Sequence, residues 1–336
     1  MDWSKGFTGQ YYMTIVDANT WRDVKRIEIT GGSIKRESSG LIESADIDCV
    51  DYEQGTEKWV RVYLEARQNG DGERIPLFTG LDCTPDASYN GMLKTVSVQC
   101  YSVLKPADDI YLDLGWYAPI GFSGAEIIKQ LLSVTPAPVE IEGESPALKE
   151  SIIAEQDETN LTMIEKILKA IGWRLRILGD GTIVICEKAT KESLIIDPAS
   201  YDIIEPEVSV EHDYFDCPNV FRAVEDDMMA IAKDESEDSP LSIQNRGREI
   251  WVQELNCDLN EDETIAEYAY RRLKEEQENS ISVSYRRRFV PNVTTSDMVE
   301  LFLPQQEING RYKVESQTVD IGNSNVSEKV VKWVKE

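Results

Sequence analysis

The single histidine is the first residue to test for chemistry in this 336-residue chain. A histidine-based metal centre or a Ser–His–Asp triad would depend entirely on His212. No G-x-S-x-G element accompanies it, and Cys217 nearby lies in no known nucleophile signature. We therefore expect His212 to be a structural residue.

The cysteines are scattered along the chain and contain no C-x-x-C pair, so neither zinc binding nor a disulfide framework is favoured. Free thiols buried in a protein made in a reducing cytosol are the prediction. The cysteines are Cys49, Cys83, Cys100, Cys186, Cys217 and Cys257.

Two charged motifs resemble known binding sites only in part. The stretch Asp46-Ile47-Asp48-Cys49-Val50-Asp51 has the wrong spacing for an EF-hand and lacks its glycine and terminal glutamate. The stretch Arg286-Arg287-Arg288 lies in a strand-like pattern within an acidic protein. We expect these arginines to pair with carboxylates within or between subunits rather than with nucleic acid.

The remaining catalytic signatures give no candidate residue. Neither a G-x-x-x-x-G-K loop nor a G-x-G-x-x-G loop occurs, so nucleotide binding has no support. A glycosidase needs two carboxylates at a defined separation, and the 62 acidic residues make any particular pair arbitrary. The sequence therefore predicts no catalytic, cofactor-binding or metal-binding residues and no cofactor.

The overall composition is that of a globular protein with a strongly acidic surface. There are 62 acidic and 35 basic residues, and the formal net charge is −27. Such a charge repels nucleic-acid phosphates and anionic lipid. The first residues carry no secretory signal pattern, and no apolar run is long enough to cross a bilayer. The length predicts two or three domains.

The pattern of the first 115 residues predicts antiparallel strands and hairpins. Apolar residues alternate from Trp59 to Leu64, and a turn at 69–72 returns the chain. Asn90-Gly91 predicts a second hairpin, because a type I′ turn needs positive φ at both central positions. This region is expected to be a compact β-rich unit.

A small α+β region is predicted between 116 and 200. Ser123 and Glu126 form a capping-box pattern before a short helix. A second helix should begin near Asn160, bury Leu161, Ile164, Ile167, Leu168 and Ile171, and end at Gly172. Strands should follow on both sides of a turn at 179–181.

The pattern from about Tyr201 onward predicts β-structure with one helix. We expect the helix to be capped by Asn260 and Glu263, with Ile265, Tyr268, Ala269 and Leu273 on its buried side. The acidic stretch 233–238 is predicted to be a mobile, solvated loop. Strands are predicted at 281–285, 298–303 and 311–321.

Several short motifs occur in a characteristic order along nearly the whole chain. They are Ser44-Ala45-Asp46-Ile47-Asp48, Leu77-Phe78-Thr79-Gly80-Leu81, Cys100-Tyr101-Ser102-Val103-Leu104, Ala266-Glu267-Tyr268-Ala269, Pro291-Asn292-Val293, Ser296-Asp297-Met298-Val299 and Gly310-Arg311-Tyr312-Lys313-Val314. In this order they resemble the phage tail hub family, which includes the T4 baseplate hub, the late-control protein D group and hub proteins of defective Gram-positive prophages. Two departures stand out: Ser102 replaces the family's usual aspartate, and Ser296 its usual glycine.

The resemblance implies a β-rich α+β fold with two tail-tube-like antiparallel β-barrel domains and a small inserted α+β domain. The implied boundaries are 1–115 for the first barrel, 116–200 for the insertion and 201–336 for the second barrel with its packed helix. It also implies a non-enzymatic baseplate hub, in which a homotrimeric ring joins the sixfold tail tube to the threefold central spike.

The partners implied are tail tube or tube-initiator proteins, the central spike protein and the tape-measure protein, without specific nucleic-acid or membrane binding. The implied location is the baseplate of a virion or tail-like particle assembled in the bacterial cytoplasm. Two alternatives stay open: a tail-associated peptidoglycan hydrolase, and a tail module that binds cell wall or glycan. The sequence does not decide whether the particle carries DNA.

Overall fold

A computed structural model describes most of the chain, and its residues group into two compact units. The described residues are 1–38, 43–50, 52–91, 93–189, 191–197, 203–215, 217–225, 227–255, 257, 259 and 263–333. The first unit comprises Met1–Lys191, Arg287–Ser296 and Ser316–Ser327. The second unit comprises Glu192–Arg286, Asp297–Glu315 and Glu328–Glu336.

Six strands of the first unit form a closed ring of antiparallel pairings. They are β1 (Thr8–Asp17), β2 (Arg22–Glu37), β3 (Glu43–Cys49), β4 (Trp59–Gln68), β5 (Asp71–Asn90) and β6 (Leu93–Ser102). The ring runs β1-β4-β5-β6-β3-β2 and closes because β2 also pairs with β1. The alternating pattern of the strands points Met13, Ile34, Ile47, Leu64 and Phe78 into one core.

Both hairpin turns predicted in this region are confirmed. Asn69 and Gly70 have φ of 52° and 94° between β4 and β5. At the second turn Asn90 pairs with Leu93, and Gly91 has φ of 63°. Positive φ at Asn69, Gly70 and Gly91 fits these residue types, because they tolerate the left-handed region, whereas Asn90 is the last paired residue of β5.

The segment after β6 is α/β and builds a second core. Its elements are α1 (Lys105–Asp108), β7 (Tyr117–Ala118), α2 (Gly124–Leu131), a 3₁₀ turn (Leu132–Val134), β8 (Val139–Glu142), β9 (Ile152–Ile153), α3 (Asn160–Ile171), β10 (Trp173–Ile177) and β11 (Ile183–Glu187). Strand β11 lies between antiparallel β10 and parallel β8. Ile128, Leu132, Met163, Ile164 and Ile183 are buried in this core.

The helix signals in this segment are confirmed. The Ser123 hydroxyl accepts a hydrogen bond from the amide of Glu126 at the start of α2. Helix α3 begins at Asn160 behind a capping box of Thr159 and Thr162, and Gly172 ends it with φ of 66°. The predicted face is correct, although Leu161 is only half-buried and Met163 is buried in addition.

The second unit contains a mainly antiparallel sheet and a small helix-covered sheet. Its elements are β12 (Glu192–Ile196), β13 (Ile204–His212), β14 (Val220–Glu225), β15 (Met228–Lys233), α4 (Ile243–Arg246), β16 (Trp251–Leu255), α5 (Ile265–Asn279), β17 (Ile281–Arg288), β18 (Met298–Leu303), a 3₁₀ turn (Pro304–Gln306), β19 (Ile308–Ile321) and β20 (Asn325–Lys332). The large sheet has the order β12-β18-β19-β20-β17-β13. Residues 287–288 of β17, 316–321 of β19 and 325–327 of β20 belong to the first unit, where this part of β19 pairs with β2. The small sheet has the order β15-β14-β16, and its inner face packs on α5 through Phe221, Ala223 and Leu273.

Two local predictions for this unit need correction. The predicted cap Asn260 lies outside the described residues, and α5 begins at Ile265, where Thr264 and Glu267 form the capping box. Asp234 is not solvated with the rest of its acidic loop, because its side chain is buried and accepts hydrogen bonds from Ser239 and Gln277.

The β-rich fold predicted from the sequence is confirmed, with large, mainly antiparallel pairings. The division into two tube-like barrels at 1–115 and 201–336, with an insertion at 116–200, stays a prediction. Within the described residues, no helix has both the length and the apolar character needed to span a bilayer.

Candidate functional site

His212 and the six cysteines are the residues whose types could support chemistry. His212 is exposed at the end of β13 and stacks on Tyr214, with ring centroids 5.6 Å apart. All six cysteines are free, and burial raises the pKa of every one of these thiols, with Cys49 at about 11. A catalytic thiol needs a lowered pKa, so Cys217 and the others have the opposite of the required environment.

The two charged motifs are parts of strands. Asp46 lies 3.5 Å from Lys35 on the neighbouring strand, and Asp51 lies outside the described residues. Arg286 lies 3.8 Å from Glu205, which is the expected type of carboxylate pairing. Arg287 is fully buried and donates to the carbonyl of Arg288. No group of three or more metal-ligating side chains that could hold an ion occurs among the described residues.

A buried ion pair joins strands that are far apart in sequence. Arg36 of β2 donates to Glu43 of β3 at 2.6 Å, to Gln317 of β19 at 2.8 Å and to the carbonyl of Leu77 in β5. The Gln317 amide in turn donates to the carbonyl of Val293 at 2.9 Å. Burial raises the pKa of Glu43, while the charge of Arg36 lowers it. The guanidinium thus connects β2 with β3, β5 and the part of β19 that belongs to the first unit.

A second buried network attaches the β10–β11 turn to the strands of the closed ring. Arg61 of β4 donates to Asp23 at 3.0 Å, to Thr79 at 2.9 Å and to the carbonyl of Asp180 at 2.8 Å. Trp21 also donates to the Asp180 carbonyl, at 3.0 Å. Burial raises the pKa of Asp23, but hydrogen bonds from Tyr63 and other donors outweigh it and leave that pKa lowered.

Glycine is required at the tip of that turn. A Cβ on Gly179 would overlap the carbonyl of Pro76, and a Cβ on Gly181 would lie 2.8 Å from Trp21. The Thr79 hydroxyl donates to the Gly179 carbonyl at 2.8 Å. The tip therefore lies directly against the backbone of β5, and the two cores of the first unit are joined there by hydrogen bonds and close packing.

One carboxyl with an unusual pKa lies inside the wall of the ring. Asp82 of β5 accepts hydrogen bonds from the amide of Lys58 at 2.9 Å and from the hydroxyl of Tyr52. Burial raises the pKa of Asp82 to about 6. A raised pKa is typical of a general acid, but this side chain is only 1% exposed and cannot reach a glycan.

Replacing Asp82 by asparagine is expected to stabilise the protein above pH 6. The folded protein holds this proton more tightly than the unfolded chain, so the wild type loses stability as the pH rises from about 4 to 6. We expect Asp82→Asn to gain about 1 to 2 kcal/mol at pH 7.5 and little at pH 4. Thermal unfolding at both pH values tests this. Asp86→Asn, on the exposed end of the same strand, is the control.

The two departures from the family motifs preserve the local geometry. Ser296, which stands in place of glycine, adopts φ of 64°, the left-handed conformation that glycine favours. Ser102, which stands in place of aspartate, accepts a hydrogen bond from the amide of Leu104 at 3.2 Å. An aspartate side chain makes the same bond in an Asx turn.

Five exposed apolar side chains lie on the segment between α1 and α2 and on β9. They are Leu114, Tyr117, Ile120, Phe122 and Ile153, which we call the apolar ribbon; Leu114 is 89% exposed. Tyr117 and Ile153 are directly paired between β7 and β9, so their side chains share one face. Exposed apolar clusters of this kind mark interaction sites.

A second exposed apolar surface lies on the small sheet of the other unit. Met229, Ile231, Trp251 and Leu255 are exposed on the face that α5 does not cover. Arg222 lies between Ile231 and Gln253 in the strand register, and its Nε is buried without a hydrogen-bond partner among the described residues. We call these five residues the arginine-centred face.

Sequence comparisons find no match, whereas structural comparisons find proteins of similar fold. No protein-family profile and no curated protein sequence matches the chain. Its fold is the fold of phage tail proteins. The motif order that predicted this resemblance is therefore confirmed at the level of the fold.

Three solved structures illustrate the similarity. The 43 kDa tail protein of prophage MuSo2 from Shewanella oneidensis has a TM-score of 0.69 at 14% identity, with 97% of each chain covered. The tail protein from Neisseria meningitidis MC58 has a TM-score of 0.70 at 13% identity, with 96% of this chain and 97% of that one covered. The E. coli c3393 protein, a type VI secretion component with structural similarity to T4 tail proteins gp27 and gp5, has a TM-score of 0.56 at 8% identity, with 96% and 77% covered.

Proposed function

We propose that the chain is a non-enzymatic structural hub protein in the baseplate of a phage tail or a phage-tail-like contractile particle. The match of the fold to tail proteins over 96–97% of the chain carries this proposal. Two features of the chain itself add support: the raised thiol pKa values, and the enclosure of Asp82 in the wall.

The proposed assembly is a homotrimeric ring that joins the sixfold tail tube to the threefold central spike. In the proposed division, residues 1–115 and 201–336 supply two tube-like β-barrels, and 116–200 is inserted between them. Three chains then present six similar β-domains, which match six tube subunits. The closed pairing of β1 to β6 fits such a role, because closure leaves little free strand edge that would recruit unrelated strands; the part of β2 beyond its pairing with β1 is paired with β19.

The proposed partners follow from that position. They are tube or tube-initiator proteins on one side, the spike protein on the other and the tape-measure protein in the channel. The net charge of −27 favours protein partners over nucleic acid. The proposed location is the baseplate of the particle, which is assembled in the host cytoplasm.

Co-expression with the neighbouring tail proteins tests the proposal. Mass photometry of the purified complex should give three copies of the 38.1 kDa chain per assembly. The same sample should leave the turbidity of purified cell walls unchanged and should not be retained on them. Loss of turbidity would establish a hydrolase instead, and retention without hydrolysis would establish a cell-wall-binding module.

A further inference from the structure

The apolar ribbon and the arginine-centred face are chemically complementary. The arginine-centred face belongs to one side of the small sheet, which has nine positions, three on each strand of β15-β14-β16; Val220 at one end of this side is fully buried. Six of these side chains are apolar, one is Gln253, and the two charged ones are Arg222 and Lys233. The Glu249 carboxylate lies beside this surface and pairs with Lys233 at 2.7 Å and with the Trp251 indole nitrogen at 2.9 Å. Arg222 is then the positive charge of the surface whose Nε has no partner among the described residues.

The surroundings of the apolar ribbon have the opposite charge. Residues 110–122 and 144–157 contain five acidic side chains and one basic side chain, Lys149. Asp113 precedes Leu114, and Glu150 precedes Ser151, whose hydroxyl accepts a hydrogen bond from the amide of Ile120. Both carboxylates are exposed. The ribbon therefore presents apolar side chains with acidic neighbours.

We propose that the apolar ribbon of one copy of the chain binds the arginine-centred face of the next copy. This inference rests on the proposed trimer and specifies its subunit interface. A cyclic ring requires two different surfaces on every chain, because each subunit contacts its two neighbours through opposite sides. Burying the exposed apolar side chains of both surfaces would drive the contact.

Electrostatics fixes the pairing of the two surfaces. The Nε of Arg222 is already withdrawn from solvent, and none of the described residues accepts a hydrogen bond from it. A carboxylate of the neighbouring copy, Asp113 or Glu150, would supply a charge-assisted hydrogen bond to this guanidinium. Two ribbons would repel each other through their carboxylates, and two arginine-centred faces would bring like charges together. The surfaces therefore favour a heterologous contact over a symmetric dimer.

Two variants and their mixture test this interface. The ribbon variant combines Tyr117→Ser with Phe122→Ser, and the face variant is Arg222→Glu. In each variant one of the two surfaces is altered, so two copies of the same variant cannot pair a ribbon with a face. Each variant alone should therefore be monomeric at concentrations where the wild type is trimeric. In an equimolar mixture, the intact ribbon of the face variant can bind the intact face of the ribbon variant. The mixture should therefore form a 1:1 heterodimer that adds no further chains. Analytical ultracentrifugation distinguishes the three species.

Tyr89→Ser is the matched control, because Tyr89 is an exposed aromatic outside both surfaces, and it should remain trimeric. Thermal unfolding of every variant checks that the fold is intact. If folded variants stay trimeric, or if their mixture stays monomeric, the proposed interface is wrong while the hub function stands. If the wild type itself is not trimeric, alone and with its tail partners, then the proposed hub assembly is wrong and the interface with it.

Discussion

Replacing Arg36 by methionine is expected to lower the free energy of unfolding by about 3 to 5 kcal/mol. The guanidinium donates to Glu43, Gln317 and Leu77, and its removal leaves the Glu43 carboxylate buried without its counter-charge. Losing one partner of a buried pair costs far more than losing both, because the remaining charge keeps its desolvation penalty. Chemical denaturation at pH 7.5 measures the loss.

The neighbouring position supplies the control for this experiment. Lys35 pairs with Asp46 at 3.5 Å on the exposed side of the same strand, so Lys35→Met should cost less than about 1 kcal/mol. Adding Glu43→Gln to Arg36→Met should recover part of the stability, because the buried charge is then gone. Equal losses for Arg36→Met and Lys35→Met would show that the buried pair has no special role.

The effect of Arg36→Met should also depend on pH in a defined direction. Burial raises the pKa of Glu43, and removing the positive charge that opposes this shift raises it further. A carboxyl with a raised folded-state pKa loses stability as the pH rises through that pKa. The variant should therefore be less impaired at low pH than at pH 8, whereas the double variant should lack this dependence.

Replacing Gly179 by alanine is expected to destabilise the first unit by about 2 to 3 kcal/mol or more. The new Cβ would overlap the Pro76 carbonyl, which is backbone and cannot move aside as a side chain could. The turn would have to lift from β5, and the bonds from Thr79, Arg61 and Trp21 to residues 179 and 180 would be lost with it. Thermal unfolding and the fluorescence of Trp21 report both effects.

Gly31→Ala is the matched control, because a Cβ at Gly31 meets no atom within 4 Å and its φ is not in the left-handed region. We expect that substitution to be nearly neutral. If Gly179→Ala unfolds at the same temperature as Gly31→Ala, the tip does not pack on β5 as described. That result would also support the prediction that residues 116–200 form an insertion that folds independently of β5 and the other strands of the ring.

Local signals in the sequence predicted much of the secondary structure. Asn69, Gly70 and Gly91 mark turns because few other residue types tolerate positive φ. The spacing of apolar residues defined α3 up to Gly172. The start of α5 was wrong because two overlapping capping patterns, Asn260 to Glu263 and Thr264 to Glu267, both fit the sequence. Only the structure selects the second pattern.

The buried charges and the interaction surfaces were not predictable in the same way. Arg36 bonds to Gln317, which is 281 residues away, and Arg61 bonds to Asp180, which is 119 residues away. In a strand pattern such arginines look like ordinary exposed residues. The apolar ribbon was missed because its residues follow neither a helical nor a strand period. Asp234 was misjudged because its partner, Gln277, lies in α5.

Electron microscopy of the chain assembled with its tail partners tests the central claim most directly. The proposed hub predicts class averages, viewed along the particle axis, of a closed ring with threefold symmetry that contains three copies of this chain. The ring should lie between the sixfold tube and the spike. A ring in which the copies of this chain are arranged with twofold, fourfold or sixfold symmetry would contradict the proposal. A tail baseplate that lacks the chain altogether would contradict it as well.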